Sequence, residues 1–259
     1  MSTILNQKEA ELLNSLVIKY GDIVSIDQVY TEFDQYYSKV WLKKFVSKML
    51  QKGWLIRLKR GQYLISNLDT RGYLSLSQYA IANALVKESY VSFGLALQYH
   101  GMFDQLLATA TSVSLKRQQT VLVQNTKYKY IYTTGKFFYG WSAQRLDDRE
   151  IRVASVEKAL IDMLLFYRTT HSIDLVLEKL SNYHQQIDFN LLIKYATLST
   201  ITVQKILGFL LDIAGLDTQG LQVNDSVVRM TAKSDVFNAR WGLYYDAYFN
   251  QYLGKNYEY

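Results

Sequence analysis

The stretch Ser38-Lys39-Val40-Trp41-Leu42-Lys43-Lys44-Phe45-Val46-Ser47-Lys48-Met49-Leu50-Gln51-Lys52-Gly53 sets the fold of the N-terminal part. Leu42, Phe45, Val46, Met49 and Leu50 recur at helical spacing and make one apolar stripe. Lys43, Lys44, Ser47, Lys48 and Gln51 fall on the opposite face, with Lys39 and Lys52 flanking it. Ser38 is placed to cap this helix and Gly53 to stop it. Beyond Gly53 the period changes. Trp54-Leu55-Ile56-Arg57-Leu58 reads as a strand, Lys59-Arg60-Gly61-Gln62 as a tight turn and Tyr63-Leu64-Ile65 as the returning strand.

Upstream, Ala10, Leu12, Leu13, Leu16, Val17 and Tyr20 keep helical spacing until Gly21. Ser25 then caps a short helix with Ile26, Val29, Tyr30 and Phe33 on one side. Three short helices followed by a basic-tipped hairpin is the order of a winged helix-turn-helix. Between Lys39 and Arg60 there are eight basic residues and no acidic one: Lys39, Lys43, Lys44, Lys48, Lys52, Arg57, Lys59 and Arg60. Residues 1–66 hold ten basic against six acidic residues, so a net +4 of the whole chain's +6 sits in a quarter of its length. A helix with donors on its outer face fits the major groove of duplex DNA, and a basic turn beside it reaches the backbone. Lysine dominates that face, so phosphate neutralisation is expected to supply much of the affinity. Ser47 and Gln51 are the better candidates for base contacts.

The rest of the composition narrows the class. With 49% apolar and 20% charged residues, the 259-residue chain is globular and long enough for two domains. It contains no apolar run of bilayer length and no N-terminal apolar stretch of signal-peptide length, so neither a membrane span nor secretion is expected. Cysteine is absent, which removes disulfides, thiolate metal sites and a cysteine nucleophile, and fits a cytoplasmic location. Proline is absent as well, so helix ends are marked by Gly, Asn, Ser or Asp.

Asn67-Leu68-Asp69-Thr70-Arg71-Gly72 marks a domain border. Helices are expected over Tyr73–Lys87 and Ser92–His100, with a short strand at Tyr90-Val91. From Thr111 to Tyr139, period-two alternation through Val113, Val121, Val123, Tyr128, Tyr130, Tyr132, Phe137 and Tyr139 predicts strands, and Ile151-Arg152-Val153 adds another. Helices follow from Ser155, over Ser172–Leu180, Asp188–Ala196 and Thr200–Ala214, then a late strand at Ser226–Thr231. The predicted fold is therefore α+β: a winged helix-turn-helix over residues 1–66, then a larger α+β domain over residues 73–259 with a small, mainly antiparallel sheet and several helices. The terminal aromatics Trp241, Tyr244, Tyr245, Tyr248, Phe249, Tyr252, Tyr257 and Tyr259 are expected to dock on a surface, whether of this domain, a second copy or a partner.

Three segments resemble the antitoxins of the AbiE type, the regulator half of type IV toxin-antitoxin pairs. They are Lys52-Gly53-Trp54-Leu55-Ile56-Arg57-Leu58-Lys59-Arg60-Gly61-Gln62-Tyr63, Tyr90-Val91-Ser92-Phe93-Gly94-Leu95-Ala96-Leu97-Gln98-Tyr99-His100-Gly101-Met102 and Val153-Ala154-Ser155-Val156-Glu157-Lys158-Ala159-Leu160-Ile161-Asp162. The resemblance runs from about residue 40 to 165. It departs from the family pattern at Val156, where proline is usual, and at Gly94-Leu95-Ala96-Leu97. It implies a winged helix that binds inverted repeats in its own promoter, as monomers or a homodimer, with Lys43, Lys44, Lys48, Arg57, Lys59 and Arg60 on the DNA-contacting elements. It also implies a body that counteracts a co-encoded toxin of nucleotidyltransferase type. A stand-alone repressor without a toxin is the alternative, and a metal-dependent nuclease a more distant one.

Enzyme chemistry finds little support in the residues. His100, His171 and His184 make no metal-ligand spacing, and no glycine-rich phosphate loop occurs. Asp147, Asp148 and Glu150 before Ile151-Arg152 lack the lysine that a nuclease cluster would carry. Glu157, Lys158 and Asp162 read as helix capping and a surface or inter-element ion pair. No catalytic residue, cofactor or metal is expected.

Overall fold

The computed structural model describes residues 4–66, 73, 75–146 and 149–253. Its N-terminal part runs α1 (Gln7–Tyr20), β1 (Ile23–Ser25), α2 (Ile26–Phe33), α3 (Lys39–Gln51), β2 (Leu55–Lys59) and β3 (Gln62–Ile65). Local chemistry sets each helix end. Asn6 and Glu9 form a reciprocal capping box on α1, Ser25 and Gln28 do so on α2, and the Ser38 hydroxyl accepts the Trp41 N–H. At the far end of α3, Gly53 takes φ +77°, Trp54 N–H donates to the Met49 carbonyl and Gly53 N–H to that of Leu50. That pair of bonds is a Schellman stop, which turns the chain straight into β2. The three strands lie in the order β1-β3-β2, all antiparallel. They close a core of Leu12, Leu16, Val29, Leu42, Met49 and Trp54 with their neighbours. The winged helix-turn-helix order is as the sequence implied.

The larger part continues with α4 (Gln78–Leu85), β4 (Ser89–Val91), α5 (Phe93–Tyr99), β5 (Thr109–Ser114), β6 (Val121–Val123), β7 (Thr126–Tyr132), β8 (Trp141–Leu146) and β9 (Arg149–Ala154). It ends with α6 (Val156–Phe166), α7 (Thr170–Asn182), α8 (Phe189–Leu198), α9 (Ile201–Ile213), β10 (Val228–Arg229), β11 (Val236–Asn238) and β12 (Leu243–Tyr245). The main sheet has the order β6-β7-β5-β4-β9-β8. β5 with β7 and β4 with β9 are parallel, while the other three pairs are antiparallel. The sheet is mainly antiparallel, as expected, with two parallel pairs that the sequence did not signal. The parallel pairs have a topological cause: β7 inserts between β6 and β5, and β9 between β8 and β4, so that each lies beside a strand that is not its predecessor in the chain. The overall class is α+β, as expected.

Several finer expectations also shift. The helix predicted over Tyr73–Lys87 spans only Gln78–Leu85, because Ser77 caps it by accepting the Ala80 N–H. Phe137 to Tyr139 form no strand: Gly135–Phe137 is a 3₁₀ turn, and Phe138 packs its ring on Tyr90 at 5.1 Å. The late strand shrinks to Val228–Arg229, parallel to β12. The aromatic C-terminal segment docks on its own domain. Trp241 is buried over Gly208, where a β-carbon would have no room, and its indole N–H donates to Asp212 at 2.6 Å. Tyr248 and Tyr252 donate their hydroxyls to Asp174 on α7 at 2.9 and 2.8 Å. Tyr257, Tyr259, Asp147, Asp148 and the border Asn67 to Gly72 lie outside the described residues.

Candidate nucleic-acid interface

Helix α3 presents the face its sequence promised. Leu42, Phe45, Val46 and Met49 are buried, whereas Lys39, Lys43, Lys44, Ser47, Lys48 and Gln51 are exposed. Val40 joins them at 65% exposure. At 100° per residue, Val40, Lys44, Ser47 and Gln51 make one line along the helix, with Lys43 on one flank and Lys48 on the other. The apolar member of that line was not among the sequence candidates, because a lone valine carries no charge signal. Tyr37, Trp41 and Phe45 stack down the neighbouring flank at 4.3 and 5.7 Å between ring centroids, with the Lys8 ammonium 4.6 Å from the Tyr37 ring. This column braces the first two turns of α3 against α1.

Two of the sequence-chosen cations are engaged inside the fold. Lys52 donates to Glu9 at 2.7 Å and to the Ile4 carbonyl at 3.0 Å, with its side chain only 13% exposed. Lys48 also reaches Glu9, at 2.7 Å, but keeps about half its side chain in solvent. Burial alone would push the Glu9 carboxyl up. The hydrogen bonds from Lys48, Lys52 and the Asn6 N–H overcome this and bring it down to about 2. Lys52 therefore acts as a tie between α1 and the end of α3, and its charge is matched at source.

The wing departs further from expectation. Arg57 and Arg60 are exposed, yet the Lys59 ammonium donates to the Leu85 carbonyl at the end of α4, and burial lowers its pKa. Beside it, the Gln62 amide donates to the Ala84 carbonyl at 3.1 Å. Strand β2 lies against β6, Leu58 and Leu64 are buried within the larger domain's core, and Asp22 pairs with Arg149. The hairpin thus docks on the body instead of projecting freely, and Lys59 does not join the basic face. Nothing in the sequence separates Lys59 from Arg60, because its partner is a backbone carbonyl 26 positions away.

A second constellation lies deep in the body, where the second and third resemblance segments meet. Lys158 and Asp162 are both fully buried, 2.6 Å apart, one turn apart on α6. Asp162 also accepts the Ser92 hydroxyl at 2.7 Å and the Tyr90 hydroxyl at 3.0 Å. Lys158 donates to the Phe137 carbonyl at 3.2 Å and sits 4.2 Å from the Tyr139 ring. Gly140 leaves room for the lysine stem, since a β-carbon there would collide with it. Burial pushes the Asp162 carboxyl up, while the ammonium and two hydroxyls hold it back. Where the sequence suggests a surface or inter-element ion pair, the structure shows a buried pair within one helix, while Glu157, in the first turn of α6, accepts the Asp188 N–H at 3.1 Å. With every atom of the pair enclosed, the cluster fixes how α6, β4 and the 137–140 turn fit together; an unpartnered member would cost about 3–5 kcal/mol.

The remaining candidates are ordinary. His100 ends α5 and donates Nε2–H to the Ala154 carbonyl at 2.8 Å, and His184 lies 3.1 Å from the Ser181 carbonyl through Nδ1. Glu150 is exposed opposite Arg145 on β8. Among the described residues no group of three His, Asp or Glu could hold a metal ion, and no helix is long and apolar enough to cross a membrane.

Together these features define an α+β chain in which a winged helix-turn-helix is docked on a mixed-sheet body. No family model matches the chain, and no curated protein does. Its fold is similar to the crystal structure of the RV2827C protein from Mycobacterium tuberculosis, with a TM-score of 0.65 over 93% of this chain and 92% of that one, at 12% identity.

Proposed function

We propose that the protein is a DNA-binding transcriptional regulator that represses its own promoter through inverted repeats read by α3. The observation that carries this reading is the exposed line Val40, Lys44, Ser47 and Gln51, flanked by Lys43 and Lys48 on a helix without a single acidic residue. Such a face offers donors to base edges and an apolar surface to a thymine methyl, with cations at phosphate distance on either side. A repressor of its own promoter would act in the cytoplasm, where that promoter lies.

A mobility-shift titration against the protein's own upstream region tests the reading. Lys43→Ala/Lys44→Ala leaves the Glu9 clamp intact and is the clean variant. It should weaken binding to every sequence and reduce the slope of log affinity against log salt by about one to two. Wild-type protein that shifts no duplex at about 50 mM salt would end the proposal.

The body is proposed, on the sequence resemblance, to neutralise a nucleotidyltransferase-type toxin encoded alongside. Co-expression with the adjacent gene should then rescue growth. A genomic neighbourhood without such a gene would leave a stand-alone repressor.

A further inference from the structure

Because the wing is fixed to the body, its arginines share a groove with a loop of the larger domain. The groove, of about 410 Å³, runs between β2 and the start of β6. Arg57 and Arg60 form one wall, and Gln118, Gln119 and Thr120 form the other. Lys59 also lines it, with its ammonium directed at the Leu85 carbonyl. Among the described residues, no carboxylate lines this groove.

We propose that this groove is a composite site for a DNA backbone strand, in which the body supplies half of the phosphate and sugar contacts. The inference rests on the DNA reading of α3 and extends it to a domain that the sequence assigned only to protein contacts. Guanidinium groups bind phosphate through paired N–H donors, so Arg57 and Arg60 suit a polyanion. The facing wall is neutral: side-chain amides and a hydroxyl bond to phosphate and sugar oxygens without displacing counterions. The site therefore has one salt-sensitive wall and one salt-insensitive wall. An acidic protein segment would gain from the arginines, but β2, which carries them, packs on α3, whose exposed residues include Lys43, Lys44 and Lys48, and this favours nucleic acid.

That asymmetry is measurable. Gln118→Ala/Gln119→Ala/Thr120→Ala, made in the full chain, should weaken duplex binding about tenfold while leaving the salt slope unchanged. Arg57→Ala/Arg60→Ala should weaken binding and lower the slope by about two. Gln119→Glu replaces one exposed side chain, spares the fold, and should weaken binding more than the matching alanine. If wild type shifts DNA, Lys43→Ala/Lys44→Ala weakens it and the loop variants bind as wild type does, the composite site is wrong and the α3 reading stands. If the loop variants keep DNA affinity and instead lose binding to poly-glutamate, the groove is a protein site and the proposal fails. If wild type binds no duplex, both readings fall together.

Discussion

Glu9 holds two lysines that would otherwise add to the basic face, so one carboxylate sets both the stability of the head and its charge. It caps α1, ties Lys52 to the start of the chain and pairs with the half-exposed Lys48. Its folded pKa of about 2 lies below the ordinary carboxylate value of 4.5. A depressed acid stabilises the fold above its unfolded pKa, and that contribution fades as pH falls from about 4.5 towards 2. After allowing for the half-exposed Lys48, it amounts to roughly 2 kcal/mol. Glu9→Gln should therefore lower urea stability at pH 7 by about that amount and flatten the acid limb of a stability-against-pH curve. On the DNA reading it should also tighten duplex binding, since Lys48 is released. Unchanged stability at pH 7 would show that the clamp contributes nothing. The capping box of Asn6 and Glu9 stands at a recognisable spacing, but the apolar periodicity starts only at Ala10 and points past it. The clamp has no sequence signal, because Lys52 lies 43 positions away and nothing local distinguishes it from Lys43.

In the winged-helix part, helix and hairpin ends followed their sequence signals closely. Ser25, Ser38 and Ser155 cap where expected, since a cap is a local bond between a side chain and an N–H three residues on. Elements decided by distant neighbours did not. Phe137 and Tyr139 alternate like a strand, yet the rings of Phe138 and Tyr139 lie against Tyr90 and Lys158, and alternation alone cannot tell a pleat from an aromatic lid. The candidate interface divides the same way. The α3 face was readable because burial of its stripe dictates what remains outside, whereas the fate of the wing depends on what α4 and β6 offer it. Val40 gives a test of α3 as an element. If it packs on a thymine methyl, replacing that thymine by uracil in a bound duplex removes one buried methyl, worth about 0.8 kcal/mol or roughly fourfold in affinity. Val40→Ala should bind the two duplexes equally. Wild type that ignores uracil at every position of its site would remove Val40 from base recognition.

At the scale of the whole molecule, the polar border at residues 67–72 suggests two independent domains, but side-chain packing argues for one cooperative unit. Leu58 and Leu64 leave the winged-helix core and complete that of the body, at 1% and 0% exposure. Lys59, Gln62 and the Asp22–Arg149 pair add polar ties across the same boundary. Burying two leucines contributes about 3–6 kcal/mol, comparable to the entire stability of a 60-residue domain. Isolated residues 1–66 would expose both side chains and should unfold at markedly lower urea than the same residues within the full chain. In the full chain, hydrogen-exchange protection on α3 and on α9 should collapse at one urea concentration. Leu64→Ala should lower that shared midpoint by creating a cavity, at a cost of about 2–5 kcal/mol. Two separated transitions, with α3 opening first and Leu64→Ala affecting only that step, would mean that the wing rests on the body without depending on it. A wing so loosely held could swing away from β6, and the composite groove would then have only one wall.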